Sequence, residues 1–135
     1  MGTTAKLLVL GSDKLCRAIF VEFDGYLSAP GVGDVLSRLW RSQEAADLLV
    51  SLGSRETLPR NCGPTVAQRC SKHGNFAAVA AESFEGADAA LNIGYTDFTY
   101  RWNGARWEVF DAGALVPDWV SLRLVMSKLR QRQKR

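Results

Sequence analysis

The chain offers a thin set of side chains for chemistry: one histidine, three cysteines and scattered carboxylates. His73 stands alone, so no two-histidine metal motif can form within one chain. Cys62, Cys70 and His73 have a C-x7-C-x2-H spacing, with Cys16 as a fourth candidate. Zinc sites draw on tight ligand pairs, and the sequence holds none. Cys70 and His73 lie one helical turn apart, the reach of a thiol–imidazole pair, but Gly74 signals the end of that helix. Neither a Gly-x-Ser-x-Gly elbow nor a Gly-x4-Gly-Lys-Ser/Thr loop occurs. Glu22 and Asp24 share one face at a strand end, as a general acid–base pair would. Gly31-Val32-Gly33 at a helix entrance resembles a phosphate cradle, although Asp34 puts a negative charge where the phosphate would sit. This inventory leans away from an enzyme, with no catalytic residue, metal or cofactor expected.

Charge and aromatic content supply the binding candidates. Seventeen Lys and Arg oppose fourteen Asp and Glu, for a net charge of +3. Lys128, Arg130, Arg132, Lys134 and Arg135 crowd the last eight residues without an acid, so residues 1–127 carry a net −2. The body is therefore not a globally basic nucleic-acid surface. Tyr95, Phe98, Tyr100, Trp102, Trp107 and Phe110, with Arg101 and Arg106 among them, match a base-stacking platform, but period-two alternation sends part of that set to a buried face. The basic end favours a helix C-terminus and adds salt-sensitive attraction to a nucleic acid or an acidic partner.

The elements that must position these residues begin with a hairpin. Lys6–Leu10 and Leu15–Phe23 read as β-prone runs around the turn residues Gly11-Ser12-Asp13-Lys14. Ile19, Val21 and Phe23 fall on one face of the second run, and Ala18, Phe20 and Glu22 on the other. Gly25 is expected to take the positive φ where that strand stops. Asp34 then N-caps a long helix whose apolar stripe runs from Val35 to Val50 and closes at Gly53. Pro64 opens a short helix through Cys70, and the Ala-rich residues 77–90 are ambiguous between strand and helix. Asn103-Gly104 between alternating aromatic runs marks a second hairpin. Pro117-Asp118 opens a C-terminal helix carrying Trp119, Val120, Leu122, Val125, Met126 and Leu129.

These elements predict an α+β fold: an antiparallel sheet built from an N-terminal and a late hairpin, with a long central helix and a C-terminal helix packed on it. One domain spans residues 1–127 and a basic tail spans 128–135. The odd cysteine count suits reduced thiols, and Cys16 reads as a small core hydrophobe. No apolar run reaches the roughly eighteen residues of a membrane span, and no basic-then-apolar leader opens the chain. The expectation is a soluble protein of a bacterial cytoplasm without a membrane partner.

Met1-Gly2-Thr3 comes before a hairpin that ends in Phe23-Asp24-Gly25-Tyr26, then Ser28, Gly31 and a long helix. This opening resembles a family of small proteins, without established activity, carried by bacteriophages and other mobile elements. That family opens with Met-Gly-Thr-Arg and carries Phe/Tyr-Asp-Gly-Tyr-Pro-Ser-x-x-Gly. The chain departs from it at Thr4 and Leu27. The resemblance implies an accessory protein, and by analogy one that binds and inhibits a host protein complex, with CRISPR–Cas and other defence effectors as candidate targets. The expected partner-binding residues are Asp24, Gly25, Tyr26, Ser28, Arg101, Arg106, Lys128, Arg130 and Arg132, with homodimer formation open. Two alternatives stand beside this. One is a small-ligand or nucleotide site, or an enzyme, centred on the Asp24 turn; the other is a nucleic-acid module using the aromatic hairpin and basic tail.

Overall fold

The computed structural model describes residues 3–54, 58, 63–64, 82–85, 96–115 and 117–133. Among them are strands β1 (Ala5–Leu10), β2 (Cys16–Val21), β3 (Glu82–Phe84), β4 (Phe98–Trp102), β5 (Trp107–Asp111) and β6 (Trp119–Ser121). Three helices accompany them: α1 (Val32–Leu39), α2 (Gln43–Ser51) and α3 (Leu122–Gln133). Cys62, Cys70, His73, Tyr95, Lys134 and Arg135 lie outside the described residues, as does the helix expected after Pro64 and most of the Ala-rich segment.

The architecture is α+β, with one sheet in the order β3-β2-β1-β4-β5-β6. It is mixed, not antiparallel as expected. Each hairpin is antiparallel internally, but the two join through their first strands, and β1 runs parallel to β4 from Ala5↔Phe98 to Val9↔Trp102. A tight turn cannot join parallel neighbours, and β2, α1, α2 and β3 all lie between β1 and β4 along the chain. A polar clamp fixes where this pairing starts. The Thr4 backbone N–H donates to Asp97 Oδ2 at 2.9 Å, the Asp97 N–H donates to Thr4 Oγ1 at 3.2 Å, and the Phe98 N–H donates to the Thr4 carbonyl at 3.2 Å.

Alternation divides the sheet cleanly. Leu7, Val9, Ile19, Val21, Tyr100, Trp102, Trp107 and Val109 face the helices and form one core with Val35, Leu36, Trp40, Leu49, Leu122 and Met126. On the other face Leu8, Cys16 and Ala18 are buried with Trp119 packed against them. Burial pushes the Cys16 thiol pKa up, which suits a packing role.

Three local expectations are corrected. The stripe from Val35 to Val50 is two helices, because the chain breaks at Trp40. Fully buried there, Trp40 turns its carbonyl to the Trp107 indole N–H at 2.6 Å. Ser42 then N-caps α2 by accepting the Ala45 N–H at 3.1 Å. Gly31, not Asp34, is the N-cap of α1, and Asp34 sits in the first turn with its carboxylate on Arg38 at 2.8 Å. Finally, Trp119–Ser121 is an edge strand on β5, and the C-terminal helix starts only at Leu122. The Trp119 ring meets its cross-strand partner Phe110 at 5.6 Å, a pairing that outweighs helical spacing.

Tyr100 ties the sheet to the loop after β2. Its hydroxyl donates to the Gly25 carbonyl at 2.7 Å inside the core, and burial raises its pKa far above the usual phenol range. Tyr100→Phe removes that donor and is expected to cost about 1–3 kcal/mol. A phenol whose native pKa exceeds its unfolded value of about 10 stabilises the fold below that pH and loses the contribution as pH rises. In urea melts above about pH 10, wild type should therefore lose stability faster than the variant, by about 1.4 kcal/mol per pH unit. Parallel pH profiles would count against a buried, hydrogen-bonded phenol.

Candidate functional site

The loop carrying Asp24, Gly25, Tyr26 and Ser28 is held together by its own backbone. Asp24, not Gly25, has the positive φ, at 61°. Gly25 is required for a different reason: a Cβ there would stand 2.7 Å from the Thr4 carbonyl carbon and 2.9 Å from Ala5 Cβ. Its N–H donates to the Thr3 carbonyl at 2.8 Å. The first amides of α1 are already taken, with the Val32 N–H on the Asp24 carbonyl at 2.8 Å and the Gly33 N–H on the Tyr26 carbonyl at 3.2 Å. Gly31 packs so closely on Tyr26 that a methyl group has no room. The resemblance to a phosphate cradle is thus filled by the loop itself. The half-buried Tyr26 hydroxyl donates to Asp24 Oδ1 at 3.2 Å. Burial first, then the Asp24 carboxylate, raises the Tyr26 pKa.

The other expected residues part company. Arg101 lies on the sheet face away from the helices, paired with Glu108 at 2.7 Å and stacked 4.0 Å over the Trp119 ring. Arg106 lies beyond β4 in the hairpin turn, exposed, on the helix side. Tyr100, Trp102 and Trp107 are core residues, at most 5% exposed, and present no open face for stacking bases. Lys128, Arg130 and Arg132 are exposed on α3, which runs unbroken to Gln133. Only Arg130 of these three reaches the feature that gathers charge.

That feature is a groove of about 290 Å³ between the α1–α2 break, the β4–β5 turn and α3. Arg41, Arg106, Arg123 and Arg130 line it above a floor that includes Trp107 and Met126. On α3 the spacing of Arg123, Met126 and Arg130 puts all three on one face. Asp34 neutralises part of the site, since its Oδ1 lies 3.8 Å from Arg130 and its Oδ2 holds Arg38. Ser37 adds a hydroxyl within 3.4 Å of Arg130 Nη2. Among the described residues Arg41, Arg106 and Arg123 meet no carboxylate at ion-pair distance. Arg41 and Arg123 were not among the expected site residues. The i, i+3, i+7 pattern on α3 was a signal for Arg123, whereas Arg41 emerges only once the helix breaks.

Among the described residues no cluster of three or more His, Cys, Asp or Glu could hold a metal ion, and no helix is long and apolar enough to cross a membrane. The chain has no significant match among family models, curated proteins or solved structures.

The loop geometry separates a structural glycine from a tolerant acid. Gly25→Ala should cost about 1–3 kcal/mol or more, because backbone must move to admit the Cβ. Asp24→Asn should stay within about 1 kcal/mol of wild type, since Asn accepts the left-handed conformation and can still bond Tyr26. Denaturant melts of the two variants test this, and equal losses would overturn the assignment of the constraint to Gly25.

Proposed function

We propose that the protein is a non-enzymatic binding protein of the phage or mobile-element accessory kind, which docks on a host protein complex, such as a defence effector, and inhibits it. The observation that carries the binding reading is the arginine groove. Three guanidiniums that meet no carboxylate among the described residues surround a floor anchored in the core, and like charges held together favour an oppositely charged partner. Arg is suited to this task, because its planar fork pairs with carboxylates in two-point geometry. The mobile-element setting rests on the likeness of the first forty or so residues to that family. The Asp24 loop supports the alternative of a nucleotide site less well, since its amides are spent internally.

Tagged wild-type protein is expected to recover one stoichiometric host complex from lysate. The double variant Arg106→Glu/Arg123→Glu should bind it on the order of 100-fold more weakly while keeping its melting temperature, as both side chains are exposed. Undiminished recovery by the double variant would remove the groove from the reading. Recovery of the bait alone by wild type would remove the inhibitor function for that host.

A further inference from the structure

The groove is cationic at its rim and apolar at its base, and that combination narrows what it takes. Met126 and Trp107, each at most 5% exposed, contribute their edges to the floor, while Arg41, Arg106, Arg123 and Arg130 surround it. A nucleic-acid backbone would satisfy the guanidiniums but has no apolar group to cover the floor. The cationic patch is also short. Lys128 stands two residues from both Met126 and Arg130, and Arg132 two from Arg130, so helical geometry turns both away from the groove. Among the described residues a duplex tracking the surface would find little beyond the four arginines, on a body whose remaining charge is net negative.

We propose that the groove is a docking site for an acidic peptide segment of the partner, in which carboxylates flank one apolar side chain. The apolar side chain meets the edges of Met126 and Trp107 and the aliphatic stems of the arginines, and the carboxylates pair with the guanidiniums. Scale supports this match. Arg123 and Arg130 are seven residues apart, about 10 Å along the axis of α3. In an extended peptide, acids four positions apart share one face with the apolar residue midway between them and stand about 13 Å apart, a span that long arginine side chains on Cα positions about 10 Å apart can meet. A volume of about 290 Å³ lies below the range of most drug-sized ligand sites and suits a single anchoring side chain. This inference rests on the reading of the protein as a binder of a host protein complex, and it names the chemistry of the partner's contact segment.

The test is fluorescence anisotropy at low salt with a labelled peptide containing Glu-Glu-Leu-Ser-Glu-Glu. Saturable binding is expected. Arg106→Gln and Arg123→Gln should each weaken it about 3- to 10-fold, and replacing the peptide's Leu by Ser about tenfold. Arg101→Gln removes the same charge from the opposite sheet face and should leave binding unchanged. An acidic peptide that fails to bind overturns the proposal, as does a Leu→Ser peptide that binds equally well. Displacement of the peptide by a 20-base-pair DNA duplex or by ATP at lower concentration would reassign the groove to phosphate. A host complex lost on Arg106→Glu/Arg123→Glu but untouched by excess peptide would sink this inference and leave the binding function standing. Peptide binding with the expected variant pattern, but no captured complex, would do the reverse.

Discussion

The parallel pairing of β1 with β4 is the contact on which the rest of the molecule depends. Two hairpins separated by most of the chain become one sheet only through it, and its starting point is the Thr4–Asp97 clamp. The same end of β1 receives the loop after β2, through the Gly25 N–H on the Thr3 carbonyl and the Tyr100 hydroxyl on the Gly25 carbonyl. Loss of a Cβ at residue 25 is what allows that loop to lie against Thr4 and Ala5. Sheet register and loop conformation are therefore one constraint, not two.

Parallel first strands also place both hairpin turns at one end of the sheet, and the helix break docks there. Gln43 shows this directly. Its amide donates to the Leu10 carbonyl at the end of β1 at 3.0 Å and accepts the Trp102 indole N–H at the end of β4 at 2.8 Å. The Trp107 indole finds its acceptor in the Trp40 carbonyl. Two buried indoles need two acceptors, and a continuous helix through residue 40 would have withheld one of them. The break that satisfies them brings Arg41 to the groove.

Local chemistry made the hairpins legible. Asn103 accepts the Ala105 and Arg106 N–H groups at 2.9 and 3.0 Å, and Gly104 takes φ 99°, as an Asn-Gly turn between alternating aromatics implies. Gly53, with φ 82°, ends α2 where the apolar stripe stops. What stayed hidden depended on partners distant in the chain. Trp119 carries helical spacing with Leu122 and Met126, yet Phe110 and Arg101 hold it in an edge strand. The hydrophobic stripe lapses after Trp40 only at Arg41-Ser42-Gln43-Glu44, with Ser42 as a local cap signal, and the distant Trp107 indole holds the Trp40 carbonyl that the break frees. The expected site was legible in part: Arg106 and Arg130 reach the groove, while Arg101 has been turned to the opposite face by strand alternation.

Counting charge along the chain points to the last eight residues, but spatial clustering arises elsewhere and for a structural reason. Each groove arginine is the chain neighbour of a residue packed into the core: Arg41 follows Trp40, Arg106 precedes Trp107, Arg123 follows Leu122 and Arg130 follows Leu129. Trp40, Trp107 and Leu122 are at most 5% exposed, so the backbone beneath three of the guanidiniums is held by burial and not by the charges themselves. A cationic surface built this way does not need a partner to fold. It offers preorganised Cα positions beneath exposed guanidiniums, which lowers the ordering cost of binding. Asp34 completes the arrangement by compensating Arg38 and part of Arg130 from within the first turn of α1, where an acid is favoured by the helix dipole. Repulsion is thereby reduced on the α1 side, and the positive field is left concentrated on Arg41, Arg106 and Arg123, the three groove arginines that meet no carboxylate among the described residues.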